Sequence, residues 1–126
     1  MKKFHILDEL QSRGITSVNA GYRTYALEIK KAIVEKGDSC WGICDFHKGF
    51  IHIIRGQDHE SARETLLHEM THLVLEMVGL GSIDDDDNVR PKTNEEITTL
   101  ISRGWLLLMN LNPELFELIL EQPDDE

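Results

Sequence analysis

The stretch that most constrains this chain is TLLHEMTHLVLEM, from Thr65 to Met77. Two histidines, His68 and His72, lie four residues apart in an otherwise apolar run, and Glu69 follows the first of them. The apolar spacing predicts a helix, and residues four apart share one face of a helix. Burying two imidazoles and a carboxylate among leucines would be costly without partners. The run is therefore either a core helix with unexplained polar residues or a helix that carries a site.

These three residues match the H-E-x-x-H pattern of a zinc site. On one helix face, His68 and His72 can direct two imidazole nitrogens to the same ion. Glu69 points to the side of that pair, where a carboxylate acts as a base rather than as a ligand. Zinc lowers the pKa of a bound water to about 7, so this carboxylate can complete its deprotonation. The pattern predicts a Zn²⁺ site with Glu69 as the general base.

A catalytic zinc site needs a third protein ligand and an open fourth position. No histidine follows His72, but the segment TNEEITTL offers two carboxylates at the start of the next helix. Glu96 lies one turn before Leu100, on the flank of the apolar face, whereas Glu95 points nearly opposite. We expect Glu96 to be the third ligand, with Glu95 as the alternative. The carboxylate that is not a ligand would stabilise the helix start through the helix dipole.

Patterns before the central helix predict a small sheet. The apolar spacing of residues 2–14 predicts a short helix that ends at Gly14. Alternating apolar and polar residues predict a half-buried strand within residues 21–34. Residues 40–56 have the clearest hairpin pattern, with Gly49 able to supply the positive φ of a tight turn. Together these segments predict a three-stranded antiparallel sheet.

The central helix has recognisable start and stop signals. Ser61 and Glu64 are spaced as in a capping box, and Gly79 and Gly81 are expected to end the helix. Its apolar residues are expected to anchor it in the core, and these are Leu66, Leu67, Leu73 and Val74.

The second half of the chain completes a single domain over residues 1–126. Residues 82–93 are acidic and contain a proline, which predicts a loop, and residues 122–126 predict an acidic tail. Helical spacing over residues 94–120 predicts a long helix and a short terminal one, separated at Pro113, which suits a first helical turn.

Composition argues against several classes of partner. The chain has 126 residues, with 13 Lys and Arg against 23 Asp and Glu, for a formal net charge of -10. Such a charge repels nucleic acid and anionic lipid, so neither is expected as a partner, and an acidic nucleic-acid decoy would rest on charge alone. The N-terminal residues do not resemble a signal peptide, and no apolar run is long enough to span a bilayer. We expect a cytoplasmic protein, in the host cytoplasm if it is viral.

Two cysteines are too few for a disulfide framework. Cys40 and Cys44, with His47 and His52 downstream, suggest a zinc knuckle, but their C-x3-C spacing differs from the usual C-x2-C pair. We expect them instead to be small, half-buried strand residues.

The run LLHEMTHLVLE followed by NEEITTLISRG resembles the gluzincin-type minimal zinc metallopeptidases. This group includes SprT-like and ImmA/IrrE-like domains and many small phage-encoded metallopeptidase-like proteins. The resemblance covers residues 22–115. It implies an α+β, minimal zincin-like fold, in which the small antiparallel sheet packs on the HExxH helix and the following long helix. It also implies that His68, His72 and a helix-borne glutamate bind zinc, with Glu69 as base.

The same resemblance implies a place for the substrate. In zincins the strand beside the active-site helix binds extended substrate through its edge, and here that strand would be GFIHIIRG, residues 49–56. The chain lacks the DNA-binding half of ImmA/IrrE-like proteins and their alanine and asparagine pair after the third ligand. Repressor cleavage is therefore not carried over.

Two functions compete at this point. The first is a zinc-dependent metallopeptidase-like protein that hydrolyses a peptide bond in a protein or peptide substrate. The second is a non-enzymatic, zinc-stabilised binding protein acting on a host or viral partner. Three candidate ligands rather than four favour an open, catalytic site. Peptide hydrolysis also needs an oxyanion donor, and the sequence does not choose among Tyr22, Tyr25, His52, His59 and Arg103. Nor does it indicate the oligomeric state.

Overall fold

The computed structural model describes residues 3–32, 34–35, 38–39, 41–80 and 93–121. Within these residues, four helices accompany one mixed sheet, which confirms the α+β class. The helices are α1 (Ile6–Ser12), α2 (His59–Met77), α3 (Asn94–Leu111) and α4 (Pro113–Leu120). The main sheet contains β1 (Ser17–Asn19), β2 (Thr24–Lys30), β5 (Gly42–Asp45) and β6 (Phe50–Ile54). A separate two-stranded ladder pairs β3 (Val34–Glu35) with β4 (Asp38–Ser39).

The strand order of the main sheet is β1-β2-β6-β5. β1 and β5 pair antiparallel with their neighbours, whereas β2 and β6 run parallel. The predicted three-stranded antiparallel sheet is therefore wrong in strand number and in direction. β1 has only three residues, too few to show an alternating pattern. After β2 the chain first forms β5 at the sheet edge and then returns as β6 between them, so β6 enters parallel to β2.

The hairpin of β5 and β6 confirms the turn predicted around Gly49. The two strands are antiparallel, with Ile43 opposite His52. Gly49 has a φ of 80°, a conformation that side chains disfavour, and its N–H donates to the Asp45 carbonyl at 2.8 Å. A second backbone N–H, that of Lys48, donates to the Asp45 carboxylate at 2.8 Å. Asp45 thus stabilises the turn through both its backbone carbonyl and its side-chain carboxylate.

The core lies between the sheet and the helices. The first helix and the predicted strand contribute as expected, since α1 buries Leu7 and Leu10 and β2 buries Tyr25 and Leu27 on one face. Side chains from β1, β6 and all four helices complete one buried cluster, including Val18, Ile51, Ile53, Leu66, Met70, Leu73, Val74, Leu108, Leu115 and Ile119. α2 therefore packs on the sheet through its apolar face.

The ends of α2 agree with the sequence in part. The N-cap is Asp58, whose carboxylate accepts a hydrogen bond from the Ser61 N–H at 2.8 Å. The predicted capping box at Ser61 and Glu64 is wrong, because Asp58 already caps the helix three residues earlier. The C-terminal end is confirmed, since Gly79 follows the last turn with a φ of 81°. Gly81 lies outside the described residues.

The division between the last two helices is confirmed. Asn112 separates them, and Pro113 occupies the first turn of α4. The predicted acidic loop, apart from Thr93, and the predicted acidic tail lie outside the described residues. None of the helices in the described part of the chain combines the length and the apolar character that a membrane crossing requires.

Candidate metal centre

α2 carries the candidate site and contacts α1, α3, β5 and β6. Of its predicted anchors, Leu66, Leu73 and Val74 are fully buried and Leu67 is half-buried. These side chains fix the rotation of the helix about its axis. The polar residues of the HExxH pattern are consequently held at fixed positions relative to the sheet.

His68 and His72 lie together on adjacent turns of α2, as predicted. Their ring centroids are 4.9 Å apart, with an angle of 78° between the ring planes. Both residues are exposed to solvent. The pair therefore presents two imidazoles side by side at the surface, where an ion can reach them.

Glu69 occupies a different environment from the two histidines. Its side chain is nearly inaccessible, since the residue is only 6% exposed. Burial raises the pKa of the Glu69 carboxyl, and the neighbouring His68 and His72 oppose that rise. No hydrogen bond to this carboxylate is found among the described residues. A buried carboxylate beside an exposed histidine pair is thus available to accept a proton.

Gly42 brings β5 unusually close to Glu69. A Cβ at this position would lie 2.7 Å from Thr65 Cγ2 and 3.2 Å from Glu69 Oε2. The first distance is shorter than real Cβ contacts and the second is tight, so a side chain here would require Thr65 or the strand to move. Gly42 was not among the predicted site residues, although a glycine inside a strand pattern is a known sign of close backbone approach.

A groove of about 620 Å³, which we call the α2 groove, opens beside Glu69 and His68. One wall is the start of β5, with Trp41 and Gly42, and the other is the face of α2 from Ser61 to Glu69. Residues 56–58, which connect β6 to α2, also line the groove. The groove therefore leads along α2 directly to the Glu69 carboxylate.

Gln57 joins the two walls of the α2 groove. Its side-chain amide nitrogen donates to the Trp41 carbonyl at 3.2 Å and to the Ile54 carbonyl at 2.9 Å. Its amide oxygen accepts a hydrogen bond from the Thr65 hydroxyl at 2.7 Å. The residue is only 9% exposed, so these bonds are largely shielded from water. Sequence reasoning missed Gln57 because its partners are distant in the chain.

The strand predicted to bind substrate is not an edge strand. β6 lies between β2 and β5, so both of its edges are paired. The prediction that residues 49–56 offer a free edge is therefore wrong, because the parallel pairing with β2 was not foreseen. Among the described strands of the main sheet, β5 is the outermost one beside α2. Any edge pairing next to Glu69 would have to involve β5.

Cys44 lies on β5 and is half-buried, as predicted. Burial, followed by the negative charge of Glu69, raises the pKa of its thiol to about 12. The thiol is consequently neutral at physiological pH in the metal-free chain. Cys40, the other half of the possible zinc knuckle, lies outside the described residues.

The structure does not place the predicted third ligand with the histidines. Glu95 and Glu96 are exposed in the first turn of α3, where they line a separate depression. No group of three or more His, Cys, Asp or Glu residues in the described part of the chain is arranged to hold a metal ion. Two exposed imidazoles are suitable donors for zinc, so His68 and His72 fit the ion by their chemistry. The third donor is not assembled among the described residues.

None of the five oxyanion candidates lines the α2 groove. Two of them bind each other, since the hydroxyls of Tyr22 and Tyr25 are 2.5 Å apart. His52 stacks on Phe50, with its ring centroid 3.9 Å away. The remaining two, His59 and Arg103, lie at the start of α2 and on α3. An oxyanion donor is thus not identified among them.

No protein-family model, curated protein or solved structure matches this chain. The functional assignment therefore rests on its own residues: the histidine pair, the buried Glu69 and the α2 groove beside them.

Proposed function

We propose that this chain is a zinc-dependent metallopeptidase-like hydrolase that cleaves a peptide bond. The observation that carries the proposal is the Glu69 carboxylate, which is largely buried, has no described hydrogen-bond donor and lines an open groove. His68 and His72 lie next to it with their rings 4.9 Å apart. A largely buried carboxylate to which no described group donates a hydrogen bond is costly unless a ligand or an ion compensates it.

Each residue of the pattern has a distinct role in this proposal. His68 and His72 hold the zinc ion through their imidazole nitrogens. When bound, zinc supplies a Lewis acid that makes water a nucleophile near neutral pH. Glu69 accepts the proton of the attacking water on its carboxylate and returns a proton to the leaving amine. The carboxylate lines the same groove as His68, so it can reach a water held beside the histidine pair.

The substrate is proposed to lie in the α2 groove along β5. An extended peptide can pair with the backbone of an outer strand, which requires no particular side chains. Gly42 keeps that strand close to the carboxylate, since a Cβ there would lie 3.2 Å from Glu69 Oε2. The scissile bond of a peptide on β5 would then lie near Glu69.

Glu96 is the proposed third ligand, with Glu95 as the alternative. Both carboxylates begin the helix that packs on α2, and a carboxylate is a common partner of two histidines in catalytic zinc sites. The two are distinguished by measuring zinc affinity in Glu96→Gln and Glu95→Gln. Loss of the true ligand should weaken zinc binding at least about tenfold, whereas loss of the other should not.

The main experiment compares Glu69→Gln with His68→Ala in the full chain. Glu69→Gln should keep zinc and the fold but slow cleavage at least about 100-fold, because the general base is lost. His68→Ala should lose both cleavage and zinc binding. Cleavage is measured by mass spectrometry on a diverse peptide mixture, zinc content by chelator titration, and folding by urea denaturation. Glu114→Gln, an exposed change on α4, is the matched control and should resemble the wild type.

The opposite result would favour the non-enzymatic alternative. If the wild type with zinc cleaves none of the peptides, or if Glu69→Gln cleaves as fast as the wild type, the hydrolase proposal fails. If His68→Ala also unfolds the domain, the metal is structural and the chain is better described as a zinc-stabilised binding protein.

A further inference from the structure

The α2 groove carries a strong local negative charge. Three carboxylates line it, from Asp58, Glu64 and Glu69, and within the described residues no lysine or arginine does so. The Asp58 carboxyl has a lowered pKa, because it accepts a hydrogen bond from the Ser61 backbone N–H. Its charge is therefore present at all physiological pH values. A chain with a formal net charge of -10 adds to this field rather than opposing it.

Among the described residues, none donates a hydrogen bond to the Glu69 carboxylate, so a ligand in the groove could supply one. Glu69 is only 6% exposed, and it lines the groove. The other two, Asp58 and Glu64, are exposed at the groove wall. A cationic group entering the groove would therefore meet three carboxylates in its lining.

An aromatic side chain faces this acidic wall. Trp41 lines the groove and is 59% exposed, which is unusual for a large aromatic residue. The face of an indole attracts Lys and Arg cations and also covers their aliphatic stems. The Gln57 side chain holds the Trp41 backbone against Thr65 through its hydrogen bonds. The position of Trp41 relative to the acidic wall is thus built into the fold.

We infer that the α2 groove selects peptides with a lysine or arginine side chain next to the bond presented to Glu69. The basic side chain lies between Trp41 and the carboxylates of Glu64 and Asp58. This inference rests on the proposed hydrolase function for its catalytic consequence, but the binding preference it describes can be measured separately.

The first test is cleavage of a peptide mixture by the wild type, with cleavage sites identified by mass spectrometry. Sites should be enriched in Lys or Arg at one position beside the cleaved bond. For matched peptides with Arg or norleucine at that position, Glu64→Lys should reduce the Arg preference in kcat/KM about tenfold through lost attraction and added repulsion. Trp41→Leu should reduce it about threefold.

Glu117→Lys is the matched control for Glu64→Lys. It changes the net charge by the same amount at an exposed position on α4 and should leave the Arg preference unchanged. If both variants reduce the preference equally, long-range charge rather than the groove is responsible and the inference fails.

A binding measurement separates this inference from the proposed function. Dye-labelled Arg and norleucine peptides are titrated with the Glu69→Gln variant, and fluorescence polarisation reports their affinities. Tighter Arg binding that Glu64→Lys abolishes supports the inference, even if the wild type cleaves nothing and the hydrolase proposal fails. Cleavage without any preference for basic residues overturns the inference while the hydrolase proposal stands. Neither cleavage nor preferential binding overturns both.

Discussion

The two halves of α2 are held in place by different kinds of contact. The first half buries Ala62 and Leu66 and adds directed polar bonds to this packing. Asp58 caps it, His59 accepts the Ile6 N–H at 3.0 Å, and Thr65 donates to Gln57 at 2.7 Å. The second half is fixed by apolar packing through Met70, Leu73 and Val74, all fully buried. The histidine pair and Glu69 lie where these two halves meet.

Each half also meets a glycine on a neighbouring element. Near the first half, a Cβ on Gly42 of β5 would lie 2.7 Å from Thr65 Cγ2. Near the second, a Cβ on Gly104 of α3 would lie 2.9 Å from Val74 Cγ1 and from Val78 Cγ1. Apolar contact is non-directional and chiefly stabilises, whereas hydrogen bonds also fix orientation. The comparison predicts that changes in the second half alter stability, and that changes in the first half alter the groove.

The largest effect on stability is expected from Leu73→Ala in the apolar half. The side chain is fully buried, so its removal leaves a cavity and should lower the free energy of unfolding by about 2–5 kcal/mol. Urea denaturation measures this loss, and zinc binding by the folded fraction should be retained. Leu106→Ala is the control, since Leu106 is 61% exposed and its truncation should change the free energy by less than about 0.5 kcal/mol. Equal losses for the two variants would contradict the assignment of stability to this half.

A smaller loss of stability, with a larger loss of cleavage, is expected from Gly42→Ala. The added methyl must displace Thr65 or β5, which should cost about 1–3 kcal/mol of unfolding free energy and move the strand away from Glu69. The measurement is urea denaturation together with peptide cleavage.

Thr65→Ser provides the matched test of this contact. It removes Cγ2, the nearest atom to the new methyl, but keeps the hydroxyl that donates to Gln57. The double variant Gly42→Ala with Thr65→Ser should recover at least about 0.5 kcal/mol relative to the sum of the single changes. Strict additivity would show that the contact with Thr65 is not what excludes a side chain at position 42.

The smallest effect concerns the docking of α1 on the start of α2 and depends on pH. Burial lowers the pKa of His59, and the charge of Glu60, whose Oε1 lies 3.7 Å from His59 Nε2, opposes that shift. Nδ1 accepts the Ile6 N–H, and Nε2 is buried with no hydrogen-bond partner among the described residues. Below about pH 6.5 the imidazole of His59 binds a proton more readily in the unfolded chain than in the folded one. The contribution of neutral His59 to the free energy of unfolding should therefore be fully present above that pH. It should be lost as the pH falls through the lowered pKa of the folded state. The hydrogen bond at risk contributes about 0.5–1.5 kcal/mol.

The measurement is the free energy of unfolding as a function of pH in the wild type and in His59→Asn. The asparagine oxygen can accept the same N–H but does not titrate, so the acid-side loss should be smaller in the variant. His52, whose pKa is also lowered by burial, remains in both proteins and sets the common background. Parallel pH profiles for the two proteins would exclude His59 as the source.

Much of the local structure could be predicted because it depends on short spacings. The first helix, the hairpin turn at Gly49, the end of α2 at Gly79 and the break at Pro113 are all where the sequence predicts them. Each follows from a conformational property of one residue or from the period of its neighbours. The sheet was predicted incorrectly, because a three-residue strand leaves no pattern and parallel pairing joins segments far apart in the chain.

The candidate site likewise has features set by local sequence and features set by tertiary structure. By itself, the sequence determined that His68 and His72 share one face of a helix with Glu69 at their side, because a helix fixes positions four residues apart. Only the tertiary structure decided that Glu69 is buried, that a side chain at position 42 would meet Thr65 and Glu69, and that β5 rather than β6 forms the outer strand. Those features depend on how β5 docks against α2, and docking is set by packing and hydrogen bonds between distant residues such as Gln57 and Thr65.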